Sequence, residues 1–202
     1  NTEVVEILCG QKARLDTQRD EGLTALRRAA FYGQVSVLRA LMERKADIQE
    51  RSKDGVTPLR AAAFGGHVET IRLFCAARAD IASVARDGAS ALHVAVVAGH
   101  LGAVALLCSM GARATCAAKD GSFPLHAAAA SGHTAILRAL CGGRAEVNAP
   151  KQTGATPLHV ATRAGHLEAV RCLCALGADG ELRASVGTPH DLAMQAGRMD
   201  LV

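Results

Sequence analysis

Apolar residues recur along this chain at a fixed interval of 33 positions. Two columns of them run in register through the sequence, and each column takes one position in every interval. An internal period of this length indicates a solenoid of stacked units. We expect the two columns to form the buried face of one helix in each unit. Their members are Val5, Leu38, Ile71, Val104, Leu137 and Val170 in the first column and Leu8, Leu41, Phe74, Leu107, Leu140 and Leu173 in the second.

A shorter helix is predicted ahead of that helix in each interval, within segments such as "GVTPLRAAAFGGH" and "GATPLHVATRAGH". Thr57 and Thr156 each precede a proline, and this order is typical of an N-cap followed by the first helical position. Small alanines follow and allow close neighbours. Gly66 and Gly165 are expected to end their helices in the left-handed conformation.

These segments resemble the ankyrin repeat, whose pattern is a turn, T-P-L-H-x-A-A, G-H, a second helix and a G-A-D-V-N-type exit. The match is looser in the first full repeat, where Ala25 and Arg27 replace the Pro and His. The resemblance implies an all-α solenoid of paired antiparallel helices with β-hairpin or turn connections. We expect one domain over 1–202, as the ordered part or a fragment of a longer protein. Its full repeats are 22–54, 55–87, 88–120, 121–153 and 154–186, and its partial repeats are 1–21 and 187–202.

The composition narrows the function classes. Half of the 202 residues are apolar, but only 2% are aromatic, so the core must rely on Ala, Leu, Val and Cys. The net charge of +4 is mild and no block of like charges occurs, which argues against a nucleic-acid-binding tail. No run of 18 apolar residues predicts a membrane span, and the N-terminus lacks a signal-peptide layout. Seven cysteines, an odd number, favour a reducing intracellular compartment such as the cytoplasm.

Five of the cysteines share one column, which predicts packing and not a reactive cluster: Cys9, Cys75, Cys108, Cys141 and Cys174. Packed helices lie about 8–10 Å apart, too far for a disulfide between neighbouring members. Cys172 and Cys174 point to different sides of a helix and cannot grip one metal ion. We therefore interpret cysteine here as a small core hydrophobe, and we expect Cys116 to be the most exposed thiol.

The histidines also form columns, namely His93, His126 and His159 in one and His67, His100, His133 and His166 in the other. The resemblance implies that they bond to turn and loop backbone. Identical residues repeated along a solenoid do not converge on a substrate or metal ion, so we expect no enzyme, no cofactor and no metal site. Asn148 stands where some ankyrin proteins carry a hydroxylated asparagine. The alternative is that Asn148 is only a turn residue.

The resemblance implies a protein partner that binds the concave side, at the hairpin tips and the ends of the first helices. Three of only five aromatic residues, Phe31, Tyr32 and Phe64, fall in those positions beside Arg27 and Arg60. We interpret them as an anchor for a partner segment bearing apolar and acidic residues. The alternative is that the aromatic rings fill gaps between repeats. The candidate contact residues are Arg27, Phe31, Tyr32, Lys53, Val56, Arg60, Phe64, Arg86, Val97, Lys119 and Arg163.

The sequence thus predicts a non-catalytic module that binds one or more proteins, alone or within a large complex. It predicts no nucleic acid, no direct membrane insertion and no small-molecule substrate. The alternative is a structural or substrate-recruiting part of a larger assembly or multidomain protein, such as a ligase adaptor, kinase, channel or complex subunit. One departure from the repeat pattern is Phe123, which takes the place of the capping threonine. It either packs beneath the hairpin or adds an exposed contact near Lys119.

Overall fold

The computed structural model describes residues 24–143 and 145–197, and within them it contains eleven helices and two isolated antiparallel bridges. The all-α class predicted from the sequence is confirmed. The chain divides into two compact units, Asn1–Ala112 and Arg113–Val202. The helices are α1 (Ala25–Phe31), α2 (Val35–Glu43), α3 (Pro58–Phe64), α4 (Val68–Ala76), α5 (Ala91–Val97), α6 (Leu101–Ser109), α7 (Pro124–Ala130), α8 (Thr134–Gly142), α9 (Pro157–Ala164), α10 (Leu167–Ala175) and α11 (Pro189–Gln195).

The first helix of each pair begins at a residue that satisfies free backbone N–H groups. The Thr24 and Thr57 hydroxyls accept from the backbone N–H groups three residues ahead, at 3.2 and 3.3 Å. The predicted cap at Thr57 is therefore confirmed. Phe123, which occupies the same position before α7, has no side-chain acceptor and makes no cap. Its ring is half-buried, with its centroid 5.7 Å from that of His126.

The first helices end at a glycine for two separate reasons, which Gly66 illustrates. Its φ of 71° lies in the left-handed region, as does the 76° of Gly165, and both predictions are confirmed. A Cβ atom on Gly66 would also lie only 2.5 Å from the ring of His100 in the next repeat. Glycine is thus needed here for the backbone conformation and for the close approach of a neighbouring side chain.

The second helices carry the core that the apolar columns predicted. Every described member of the two columns is at most 8% exposed, from Leu38 in α2 to Leu173 in α10. Val5 and Leu8 lie outside the described residues. In the first unit, α3 contacts α1 and α5, and α4 contacts α2 and α6. In the second unit, α9 contacts α7 and α11, and α8 contacts α10. Like helices therefore pack on like helices within each unit.

The cysteine predictions need two corrections. Cys75, Cys108 and Cys141 are only half-buried and Cys174 is exposed, so this column is not part of the core, whereas Cys172 is buried. Each column cysteine directly follows a core residue, and a one-residue step turns a helix by about 100°, to the edge of the buried face. Cys116 is half-buried and is therefore not the most exposed thiol. The six described cysteines are free thiols, and Cys9 lies outside the described residues.

Candidate partner-binding site

An apolar groove of about 620 Å³ opens in the first unit, between the ends of α1 and α3. Six of the eleven predicted contact residues line it. We call it the aromatic groove and define it by Arg27, Phe31, Tyr32, Val56, Arg60 and Phe64. Arg28 and Val94 also line it, and neither was among the predicted contacts. The sequence offered a signal for Val94, since it stands one turn before Val97 on the same helix.

Three aromatic rings form one continuous surface in the groove. The Phe31 and Phe64 rings are stacked, with centroids 5.9 Å apart and an interplanar angle of 19°. Tyr32 meets Phe31 edge to face at 5.1 Å. All three side chains are between 41 and 58% exposed. The rings thus contact one another across repeats, as the gap-filling alternative required, and still present a large apolar area to solvent.

Arg27 takes the place of a repeat histidine and makes the same contact. Its Nη1 donates to the carbonyl of Val56 at 3.1 Å. His126 and His159 donate through Nε2 to the carbonyls of Ala155 and Gly187, at 3.0 and 3.1 Å. Each of these three bonds joins one repeat to the hairpin of the next, 28 or 29 residues ahead.

Burying the charged guanidinium of Arg27 costs free energy that burying a neutral imidazole does not. The residue is 3% exposed, and burial lowers the pKa of Arg27 from its ordinary value, while the nearby charge of Glu50 opposes that shift. Glu50 itself accepts from the Thr24 hydroxyl. Nη2 of Arg27 is buried and has no hydrogen-bond partner among the described residues. An arginine is always charged, so within the described part of the chain this nitrogen is a buried cationic donor without an acceptor.

Arg60 occupies the same slot one repeat later but bonds differently. Its Nη2 donates to Oδ2 of Asp87 at 2.6 Å, and its Nε is buried and lacks a partner in the described part of the chain. Asp87 also accepts from the backbone N–H of Ala89 at 2.9 Å. Burial alone would raise the pKa of Asp87, but the Ala89 bond and the Arg60 charge outweigh it and hold the pKa below its ordinary value. Asp87 was not among the predicted contacts.

The other five predicted contacts are exposed and lie outside the groove lining. Lys53 and Arg86 stand at hairpin tips of the first unit, where Arg86 Nη1 lies 3.8 Å from Asp54 Oδ1. Val97 ends α5, at the position that corresponds to Phe31 and Phe64. Lys119 and Arg163 belong to the second unit. The structure therefore gathers six of the predicted residues at the groove, and the other five are not part of its lining.

The histidine columns bond to backbone, as expected. His67, His100 and His166 donate through Nε2 to the carbonyls of Phe31, Phe64 and Ala130, at 2.9–3.0 Å. Burial lowers the pKa of His126 and of His159. Burial also raises the pKa of the thiols of Cys75, Cys108 and Cys141. A raised pKa reduces the fraction of reactive thiolate at neutral pH.

Asn148 is a connector between neighbouring repeats. Its Nδ2 donates to the carbonyl of Gly177 at 3.3 Å, and its Oδ1 accepts from the backbone N–H of Asp179 at 2.9 Å. Gln49 makes the corresponding pair of bonds, to Arg78 and Asp80, in the first unit. These contacts account for the amide side chain at this position.

Two global observations complete the description of the site. Among residues 24–143 and 145–197, no cluster of His, Cys, Asp or Glu has a geometry that could hold a metal ion. None of the helices in that same part of the chain has both the length and the apolar character that crossing a bilayer requires.

Comparison with known families agrees with the repeat pattern. A family model described as "Ankyrin repeats (3 copies)" matches residues 45–117 and 111–184, and one described as "Ankyrin repeat" matches residues 21–53. No curated protein matches the chain. Ankyrin repeats are generally protein–protein interaction modules and are typically not catalytic. The two family models together match residues 21–184 of the 202, and the chain belongs to the ankyrin repeat family.

Proposed function

We propose that this chain binds a partner protein through the first-helix ends and hairpin tips of its first unit, with the aromatic groove as the anchor. The observation that supports this most strongly is the exposure of three neighbouring aromatic rings in a chain with only five aromatic residues. Aromatic and arginine side chains supply most of the binding energy at protein interfaces.

Packing alone does not explain these rings. Stacking of Phe31 on Phe64 is worth about 0.5–1.5 kcal/mol, and that interaction needs only one face of each ring. The remaining faces stay in contact with water, although burying apolar area yields about 25 cal/mol per Å². A partner that covers the aromatic groove would recover this free energy.

The test is a double substitution, Phe31→Ala with Phe64→Ala. The partner would first be captured with the intact chain, then purified, and its Kd measured by titration calorimetry against each variant. We expect at least a tenfold rise in Kd, because losing one hot-spot residue alone costs about 2 kcal/mol or more. The free energy of unfolding should fall by about 2–4 kcal/mol, because each ring is only about half-buried and the stacked contact is lost as well.

Met110→Ala is the matched control, since Met110 is an exposed apolar side chain of the first unit outside the groove. Its Kd should equal that of the parent chain. If the double variant loses about 6–10 kcal/mol of stability, as two fully buried Phe→Ala changes would, and keeps its affinity, the rings are core residues and the proposal fails.

A further inference from the structure

The aromatic groove contains two arginines where other repeats of the chain carry histidine. Both guanidinium groups use one nitrogen for a strong contact, Arg27 with the Val56 carbonyl and Arg60 with the Asp87 carboxylate. Each also keeps one buried nitrogen unpaired among the described residues, Nη2 of Arg27 and Nε of Arg60. Unpaired buried donors are rare in folded proteins because each costs free energy. Both arginines line the same groove, and we interpret their unpaired nitrogens as donors that a bound acceptor could reach after a small side-chain movement.

The acceptor that fits is a carboxylate. The edge formed by Nε and Nη2 of an arginine matches the two oxygens of a carboxylate, and such paired bonds are among the strongest in proteins. Asp87 now uses only half of this edge, since it contacts Nη2 and leaves Nε without a partner. Arg60 is the more accessible of the two arginines, with its side chain 14% exposed. The exposed Arg28 beside it adds a further positive charge.

We propose that the aromatic groove selects partner segments in which an Asp or Glu side chain lies beside apolar residues, with Arg60 binding the carboxylate and Arg27 adding its buried charge. This inference rests on the proposed function of the groove. It goes beyond the acidic and apolar segment expected from the sequence, because it assigns the carboxylate to Arg60 and names Asp87 as the side chain that the carboxylate replaces.

We favour a side-chain carboxylate over a terminal one, because the carboxylate that now pairs with Arg60 is that of a side chain, Asp87. Asp87 is an internal side chain in a loop and is largely exposed, so a segment of similar form can replace it. Asp87 therefore acts as a competitor for the site. Asp87→Asn removes the competing charge, while its side-chain oxygen can still accept from the N–H of Ala89. Binding of an acidic segment should become tighter in this variant.

The surrounding charges favour a single carboxylate over a polyanion. Glu50 lies near Arg27 and Asp87 pairs with Arg60, while Asp54 lies beside Arg86 at a hairpin tip of the same unit. A nucleic acid would bring many phosphates against these carboxylates, whereas one carboxylate can pair with Arg60 alone. We therefore assign the groove to a protein segment, and nucleic-acid binding is an outcome that the experiment must exclude.

The experiment selects random 12-residue peptides displayed on phage against the intact chain. The displayed peptides are fused at their C-termini, so no terminal carboxylate can be selected. Enriched sequences are synthesised with both ends blocked, in matched pairs that carry Asp or Glu in one member and Asn or Gln in the other. Their Kd values are then measured by fluorescence anisotropy against the parent chain and three variants.

The variants are Arg60→His, Arg27→His and Asp87→Asn. Histidine is the natural residue of this slot at His93, His126 and His159, so the first two variants keep a side chain that fits the fold. With the parent chain, we expect the acidic member of each pair to bind at least about tenfold more tightly than its amide partner. Arg60→His should abolish that preference, Arg27→His should reduce it, and Asp87→Asn should increase it.

The outcomes separate this inference from the proposed function. One outcome is that the selection enriches apolar peptides without an acidic residue. If the Phe31/Phe64 double variant binds them more weakly than the parent chain does, and Arg60→His binds them equally well, the carboxylate assignment is overturned and the proposed function stands. Peptides indifferent to all of these variants overturn both. A library that enriches no peptide also overturns the inference. So does a single-stranded DNA oligonucleotide that displaces the acidic peptides in a salt-sensitive manner and no longer binds the Arg60→His variant.

Discussion

Arg27→His should stabilise the chain, although it removes a charged residue from the candidate site. The substitution installs the residue that His126 and His159 represent in the second unit. An imidazole at position 27 can donate to the Val56 carbonyl, as Nη1 of Arg27 does now at 3.1 Å. The bond between repeats is kept, and the unpaired Nη2 disappears.

The magnitude follows from two opposing contributions. A buried donor without an acceptor costs about 1–3 kcal/mol, and more when it is charged. The smaller imidazole gives up packing worth roughly one methylene group, about 0.8 kcal/mol. The expected net gain in the free energy of unfolding is therefore about 1 kcal/mol.

Urea denaturation followed by circular dichroism measures this change, with the slope m checked for constancy between variants. The matched control is the reverse exchange, His126→Arg, in the second unit. Ala149 stands there at the position that Glu50 occupies near Arg27, so the introduced charge lacks that carboxylate. This control should lose about 3 kcal/mol, as expected for an uncompensated buried charge. If Arg27→His instead lowers the free energy of unfolding by about 1 kcal/mol or more, the attraction between Arg27 and Glu50 outweighs the unpaired nitrogen, and the reasoning is refuted.

Three further predictions concern the repeat stack. In urea denaturation, Leu107→Ala should lower the free energy of unfolding by about 3 kcal/mol, and Leu101→Ala should lower it by under about 1 kcal/mol. The reason is that these two leucines of α6 are 0 and 43% exposed. Equal losses would contradict the assignment of Leu107 to the buried column. The pKa values of His126 and His159 lie below their ordinary value in the folded chain, so the unfolded chain binds more protons. The urea midpoint should therefore fall as the pH drops through about 6.5, until the folded pKa values are passed, and a double His→Gln variant should show a flatter profile between pH 7.5 and 5.5. Gly66→Ala should lower the melting temperature and reduce the free energy of unfolding by at least about 1 kcal/mol, because it places a Cβ atom on a left-handed backbone and against the His100 ring. An unchanged melting temperature would show that the His100 ring moves away at no cost.

The sequence predicted the parts of the structure that depend on repetition. The apolar columns, the capping role of Thr57 and the left-handed glycines follow from the chemistry of each residue type, and 33-residue spacing repeats each signal several times. The aromatic groove was also foreseen in part, because Phe31 and Phe64 occupy equivalent positions in adjacent repeats.

What escaped prediction depends on non-repeated side-chain geometry. The contact of Arg60 with Asp87 departs from the repeat pattern, because Arg27, His126 and His159 in the same slot donate to backbone carbonyls. The unpaired nitrogens of Arg27 and Arg60 depend on rotamers that no sequence pattern specifies. The partial exposure of the cysteine column depends on how far each helix is rotated about its axis, since each described column cysteine lies only one residue after a member of the buried second column.

The bonds that histidine makes to its neighbours constrain how a chain of this kind can change its length. Three donors of the second histidine column, in His67, His100 and His166, each meet an acceptor 36 residues earlier, at the end of the preceding first helix. Removing a whole 33-residue module brings every remaining imidazole to an equivalent carbonyl, so nothing is left unmatched. Removing a handful of residues from inside a module shifts one partner of each such bond away from the other. Such an array therefore gains or loses length in whole repeats, because a shorter insertion or deletion breaks these bonds.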